Sequence, residues 1–346
     1  MEKLILNRTG LAVTRVGFGG IPIQRLPEEE AIAVIKGCLD LGVNFLESGR
    51  AYTISERCIG RAIAGRRDGL VLISKTARRG KEKAAADIKV SLQELGVDYI
   101  DLYQLHNVSD VETYDRVTGP GGALSALREA RESGIIGHIG ISCHTMEPAK
   151  KAVASGLFET VQYALNFVAT SAAKELLPLC REHGVDFIVM KPMGGGALEY
   201  PDIAMKYLMQ FPDVAILLGV EKVAEMEEVV QIISGPRDMN KEEKRRMAEL
   251  ARELGSKFCR RCDYCQPCTE GISISTVMSM RTFWKRLPAD QFFSGWIAEA
   301  IEKGFSCSHC GNCEERCPYH LPIQDIMEEN LEWYKKETRT RAPRIS

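Results

Sequence analysis

The chain has 346 residues, of which 45% are hydrophobic and 12 are cysteine, with a formal net charge of −2. That is enough for one large domain and an appendage, and the balanced charge gives no overall attraction to nucleic acid or to an acidic membrane surface. The opening MEKLILNRTG carries no charged-then-apolar leader and no stretch approaches ~18 uncharged apolar residues, so the expected setting is cytoplasmic, without a membrane partner.

The first element expected is a hairpin in KLILNRTGLAVT, turning at Arg8-Thr9-Gly10. A short apolar run and an amphipathic helix then alternate eight times. The strands are VGFGG (16–20), VNFLES (43–48), LVLISK (70–75), YIDLYQLH (99–106), HIGIS (138–142), VQYALN (161–166), FIVMKP (187–192) and AILLGV (215–220). Helical segments such as KAAADIKVSLQELG and AAKELLPLCREHG lie between them, and several stop at Gly42, Gly96, Gly134 or Gly184, the usual C-terminal signal. Strands apolar along their length suit parallel pairing with both faces covered. Eight such units within residues 1–235 predict an α/β fold, a TIM (β/α)8 barrel with the hairpin closing its bottom. A doubly wound sheet is the runner-up, but VGFGGIPIQ lacks the G-x-G-x-x-G turn it would want.

In a barrel, the C-terminal strand ends carry the chemistry. Here they offer Glu47 and Ser48, Lys75, His106 and Asn107, Ser142 and His144, Asn166, Lys191, and Gly219. A lone lysine or histidine at a strand end is usually a solvated exit from the core. A nearly complete ring of polar groups around one mouth predicts an active site.

A helix-breaking SGPRDMN (234–240) separates this part from a second domain, 236–346, opening on a charged helix, KEEKRRMAELARELGSK, that Asn240 can cap. Two cysteine runs follow: Cys259, Cys262, Cys265 and Cys268, then Cys307, Cys310, Cys313 and Cys317 with Pro318 behind it. The second reads C-x2-C-x2-C-x3-C-P, the spacing that holds [4Fe–4S] cubanes. Three thiols at successive i+3 positions wrap three corners of a cube, and the fourth reaches another cluster. Zinc prefers two separated C-x2-C knuckles. The first run is one residue shorter, which keeps a single cluster open beside the expected two. Aromatic residues among 272–306 are expected to pack a shell around the clusters and against the barrel, and the basic tail KKETRTRAPRIS to fray. Cys38, Cys58, Cys143 and Cys180 are scattered, as buried thiols in a reducing compartment would be.

These residues bring a family into view. NFLESGRAYTISERCIGRAI, ISKT and DYIDLYQLH resemble the acid-and-tyrosine stretch, the lysine strand and the histidine strand of the aldo-keto reductases. The cysteine-rich end is similar to a bacterial and archaeal branch of that family with a ferredoxin-like C-terminal domain, small and mainly helical. The resemblance implies Tyr52 as proton donor, Lys75 as its activator, His106 as orienter of the substrate carbonyl, and Glu47 where the family has aspartate. A free phenol, with a pKa of ~10, donates reluctantly until a nearby cation lowers that value. The added methylene at Glu47 leaves two readings: a local shift with ordinary reduction, or a site retuned for an unusual carbonyl or a conjugated C=C bond.

By the same resemblance NADPH or NADH is the cofactor. Ser142 and Gln162 stand at carboxamide-binding positions, with Asn166 expected at a neighbouring strand end facing the same mouth; Cys143 replaces an asparagine there, so that contact is expected to be partly lost or passed to His144. Lys191 and the glycines Gly194, Gly195 and Gly196 after it offer bare backbone amides for a pyrophosphate, and Gly219 and Lys222 fall in the adenosine region, whose usual basic set is reduced to Lys222. The expected activity is hydride transfer to a small-molecule carbonyl, or from the alcohol, with structural or sensory clusters. The alternative is a ferredoxin-like electron-transfer protein that meets a redox protein partner and uses its barrel for docking. Joining the two requires splitting a two-electron hydride into single electrons, and no flavin motif offers that.

Overall fold

The computed structural model describes residues 1–341, which form two compact units meeting at Lys241 and Glu242. The first opens on β1 (Lys3–Ile5) and β2 (Ala12–Thr14), an antiparallel hairpin. Eight parallel strands follow: β3 (Val16–Gly19), β4 (Phe45–Glu47), β5 (Val71–Thr76), β6 (Ile100–Leu105), β7 (Ile136–Ser142), β8 (Thr160–Ala164), β9 (Asp186–Met190) and β10 (Val214–Gly219). They close in sequence order, β10 pairing with β3, so the fold is a TIM barrel.

Helices α1 (Glu28–Asp40), α2 (Ser55–Ile63), α3 (Lys81–Leu95), α4 (Val111–Thr118), α5 (Ala123–Glu132), α6 (Met146–Ala154), α7 (Ser171–His183), α8 (Pro201–Leu208) and α9 (Val223–Ser234) connect the strands. Gly96 and Gly184 end α3 and α7 at φ of +63° and +61°, a left-handed turn that a side chain resists. Helix α4 is an addition to the expected pattern. Asp110 starts it by accepting from Thr113 N at 2.6 Å, a cap that eight mostly polar residues did not advertise.

Side chains alternate along each strand, and the interior alternates with them. Phe45, Val71, Ile73, Leu102, Ile188, Ala215 and Leu217 fill the lower barrel together with Leu6 and Val13. The next inward positions toward the mouth are Glu47, Lys75 and Gln104, so the lumen is apolar below and polar above. At the bottom, Asp186 accepts from Arg8 N at 2.9 Å, Thr9 N at 3.0 Å and Thr9 Oγ1 at 3.0 Å, tying the hairpin turn across the barrel's end. Cys38, Cys58, Cys143 and Cys180 are buried.

The second unit is helical: α10 (Lys241–Gly255), four helices of five, five, four and ten residues between Ile274 and Gly304, the short Asn312–Glu315 turn of helix, and a terminal helix Ile323–Arg341. Val277, Met280, Phe292, Ile301, Leu321 and Met327 are buried in one core, and Cys265 and Cys317 belong to it. Where the sequence suggested a frayed tail from Lys335, the terminal helix runs on through Arg341, anchored by buried Leu331 and Tyr334; the last five residues lie outside the described part.

Candidate active site and candidate cluster sites

The strand-end residues named from the sequence lie at or just past the C-terminal ends of their strands: Glu47 on β4, Lys75 on β5, His106 after β6, Ser142 on β7, Asn166 after β8, Lys191 after β9 and Gly219 on β10, while Gln162 sits at the middle of β8. Three of them, Glu47, Lys75 and His106, meet at the centre with Tyr52, from the segment that follows β4. Lys75 is 1% exposed, and its ammonium is ion-paired with Glu47, donates to Ser48 O at 2.5 Å and lies 3.3 Å from the Tyr52 hydroxyl. The Tyr52 and His106 rings meet edge to face, centroids 5.6 Å apart. Burial pushes the Lys75 ammonium down from its ordinary value, and Glu47, then Glu56, oppose that. Burial, then the charges of Lys75 and Arg79, lower His106 to about 3, so its imidazole is neutral in any ordinary buffer. Its Nδ1 is buried without a hydrogen-bond partner.

The support around this centre was less visible. Glu56, on the inner face of α2 with Ile59 and Ile63, is buried, pairs with Arg50 and accepts from Ser74 Oγ. A carboxylate at apolar-face spacing in ISERCIGRAI was the available signal. Arg79 donates to His106 O at 2.8 Å and Asn107 O at 2.7 Å, holding the β6 end. Gln104 shares the inward parity of His106, is fully buried, and has neither amide atom hydrogen-bonded.

The expected cofactor residues divide. Ser142 and Gln162 are register partners, and Ser142 Oγ accepts from Asn107 N at 2.9 Å, which leaves the hydroxyl hydrogen for another acceptor. Gln162 donates to Glu47 Oε1 at 3.1 Å. Asn166 has both amide ends engaged, Oδ1 accepting from Val168 N and Ala169 N in its own loop and Nδ2 donating to Lys191 O just past the end of β9, so it ties the loop after β8 to the one after β9. His144 follows the fully buried Cys143 and its carbonyl accepts from Tyr163 at 3.5 Å. Gly194, Gly195 and Gly196 are all left-handed, but the amides of Gly194 and Gly196 donate to Lys191 O and Met193 O inside the turn. The sequence suggested bare amides, and the turn consumes two of them. Lys222 precedes α9, where Glu225 accepts from the backbone of Glu221 and Lys222; the Glu221 side chain is paired with Arg25 at 3.0 Å.

In the helical unit the eight thiols sort into two groups. Cys268, Cys307, Cys310 and Cys313 line one cavity with Gly311, Gln324 and Met327. Cys317 lies close enough to Cys262 to act on it by charge, Cys262 acts likewise on Cys259, and Cys259 and Cys262 both act on Cys265. Burial first, then mutual repulsion, raise Cys259, Cys262 and Cys265, the last to about 12. A crowd of sulfurs that resists becoming thiolate alone is one that suits cationic iron. Among the described residues no three His, Cys, Asp or Glu side chains converge on a single point as a mononuclear site would need.

Residues 15–251 match the Aldo/keto reductase family, and residues 258–322 match the 4Fe-4S dicluster domain. The chain is 27% identical over 214 residues to L-galactose dehydrogenase of Arabidopsis thaliana, spanning 57% of this chain and 67% of that protein. An uncharacterized oxidoreductase of Schizosaccharomyces pombe is 26% identical over 258 residues, 66% of this chain and 82% of that one. Among solved structures, the holo form of an aldo-keto reductase from Bacillus halodurans superposes with a TM-score of 0.63 at 23% identity, covering 72% of this chain and 96% of its own. One from Klebsiella pneumoniae in complex with NADPH gives 0.62 at 20% identity, with the same coverage. The chain therefore belongs to the aldo/keto reductase family of oxidoreductases, in a form that continues from its barrel into a 4Fe-4S domain.

Proposed function

We propose that the protein transfers hydride between a nicotinamide nucleotide, NADH or NADPH, and a small-molecule carbonyl or its alcohol, with Tyr52 as the proton donor. The observation that carries this is a tyrosine hydroxyl 3.3 Å from a buried lysine whose charge is balanced by Glu47, at a mouth flanked by His106. A bound reduced nicotinamide supplies the hydride. The chain's own residues do the rest. The Lys75 ammonium favours the phenolate, so Tyr52 gives up its proton to the carbonyl oxygen more readily than a free phenol. Neutral His106 is suited to hydrogen-bond that oxygen and fix its angle. Glu47 holds Lys75 in place, and its reach in the present backbone favours ordinary carbonyl reduction over a retuned site. Tyr52→Phe should abolish carbonyl reduction under anaerobic conditions while nucleotide affinity stays within about threefold. Full turnover in that variant would remove Tyr52 as donor, and failure of wild-type protein to bind either nucleotide would end the reading.

In the same reading the helical unit would hold two [4Fe–4S] clusters with crossed ligation, structural or sensory in role and capable of one-electron redox change when bound. Cys259, Cys262 and Cys265 take Cys317 as their fourth ligand, and Cys307, Cys310 and Cys313 take Cys268. The grouping of Cys268 with the second run around one cavity, and of Cys317 with Cys262, supports that assignment. Iron and sulfide should each approach about eight per chain. Cys317→Ala should damage the cluster of the first run and spare that of the second. A count near four in fully loaded protein would discard the two-cluster assignment.

A further inference from the structure

Glu47 and Gln162 are 115 residues apart, on strands separated by β5, β6 and β7, and their side chains meet across the lumen at 3.1 Å. Both residues are 3% exposed. We propose that Glu47 is a positioning residue for Gln162: it fixes which end of that amide faces the ligand and so ties recognition of a primary carboxamide to the lysine that serves Tyr52. The inference rests on the nucleotide reading above.

The argument begins with what a carboxylate can do. It accepts hydrogen bonds and donates none. Glu47 Oε1 already carries the Lys75 ammonium, so the end of Gln162 that approaches it must be the NH2. The amide oxygen is thereby turned the other way, where it is buried with no hydrogen-bond partner. A buried carbonyl left unpaired is costly, and the group that would relieve it is an N–H donor. Ser142, its register partner on β7, has the complementary property: Oγ already accepts from Asn107 N, so its hydrogen remains to be given. One acceptor beside one donor matches the N–H and C=O of a primary carboxamide. Without Glu47, Gln162 could rotate by half a turn and present its nitrogen, and the match would be lost. The glutamate is therefore useful for its length: the carboxylate oxygen that holds Lys75 also reaches β8, which an aspartate one methylene shorter does not.

The test uses the full chain with its clusters, handled anaerobically, and two probes: a reduced nicotinamide nucleotide, and its 3-acetylpyridine analogue, in which a methyl replaces the carboxamide NH2. Binding is read from nucleotide fluorescence. Wild-type protein should prefer the carboxamide by roughly tenfold, the worth of one hydrogen bond to a buried acceptor. In Glu47→Asp the preference should fall to near one, Gln162→Ala should do the same, and the double variant should lose nothing further. Glu47→Gln keeps the length while removing the charge that dictates the amide's orientation; it should also lose the preference, and it carries the test if the aspartate variant does not fold. Full preference in either Glu47 variant, or additive losses in the double variant, would overturn the proposal. Wild-type protein that binds both probes equally would overturn it too while sparing the nucleotide reading; binding of neither would sink both.

Discussion

His106 shows how burial decides the behaviour of a single side chain. Its proton affinity is lowered to about 3 by desolvation, then by Lys75 and Arg79, while in an unfolded chain it would titrate near ~6.5. Between those values the unfolded chain binds a proton that the native one refuses. The stabilisation is therefore complete above ~6.5 and is lost progressively as pH falls toward 3. From pH 7 to pH 5 the loss attributable to this residue should be about 2 kcal/mol. Denaturant midpoints for wild type and His106→Asn at both pH values check it: the wild type should fall more steeply on acidification, and parallel shifts would show that the ring protonates in place. At this scale the sequence was informative where a residue's type and strand position sufficed, as for Lys75 and His106. It was silent where the partner lay far along the chain, as for Glu47 with Gln162, or where a turn consumed its own amides, as at Gly194.

The eight strands were readable because each is covered on both faces and so carries an apolar run, with its polar groups gathered mainly toward the mouth. The polar, eight-residue α4 was not, since its cap works through local geometry rather than periodicity. Helix α2 was legible as an amphipathic segment, but its closeness to α3 was not. A methyl group at Gly60 would lie 2.5 Å from Glu94 O and 2.7 Å from Leu95 O, so the glycine is what lets the two helices touch through backbone. Gly60→Ala should force them apart and cost about 1–3 kcal/mol, seen as a lower Tm. Because α2 also carries Ser55 and Glu56, with Ser55 bonded to Ser48 at 2.8 Å and Glu56 to Ser74, turnover should fall in the same variant. A Tm within error of wild type would mean that the helix pair yields without strain.

Each of the two units has its own buried core, one in the barrel and one around the cysteines. The cores differ in kind. The barrel is held by strands and apolar volume, whereas Cys265 and Cys317 are part of the other unit's interior. Bound iron then contributes folding energy to that unit directly. Oxidative loss of iron should abolish the transition of the cysteine-rich unit in a melting experiment and leave the barrel's Tm within about 2 °C; a barrel that melts along with it would show that the units fold as one. The cysteine spacing made this unit recognisable from its sequence, but the short helices between Ile274 and Gly304 follow no long period and emerged only from packing.

The hairpin floor carries a kinetic consequence. With Leu6 and Val13 packed into the lower lumen and Asp186 fastening the turn beneath it, the barrel is a well with one rim. Under the proposed function, a nucleotide beside Gln162 and a substrate beside Tyr52 would have to enter and leave by that same rim. With the floor sealed, there is no back door: traffic of both reactants and both products would share one entrance.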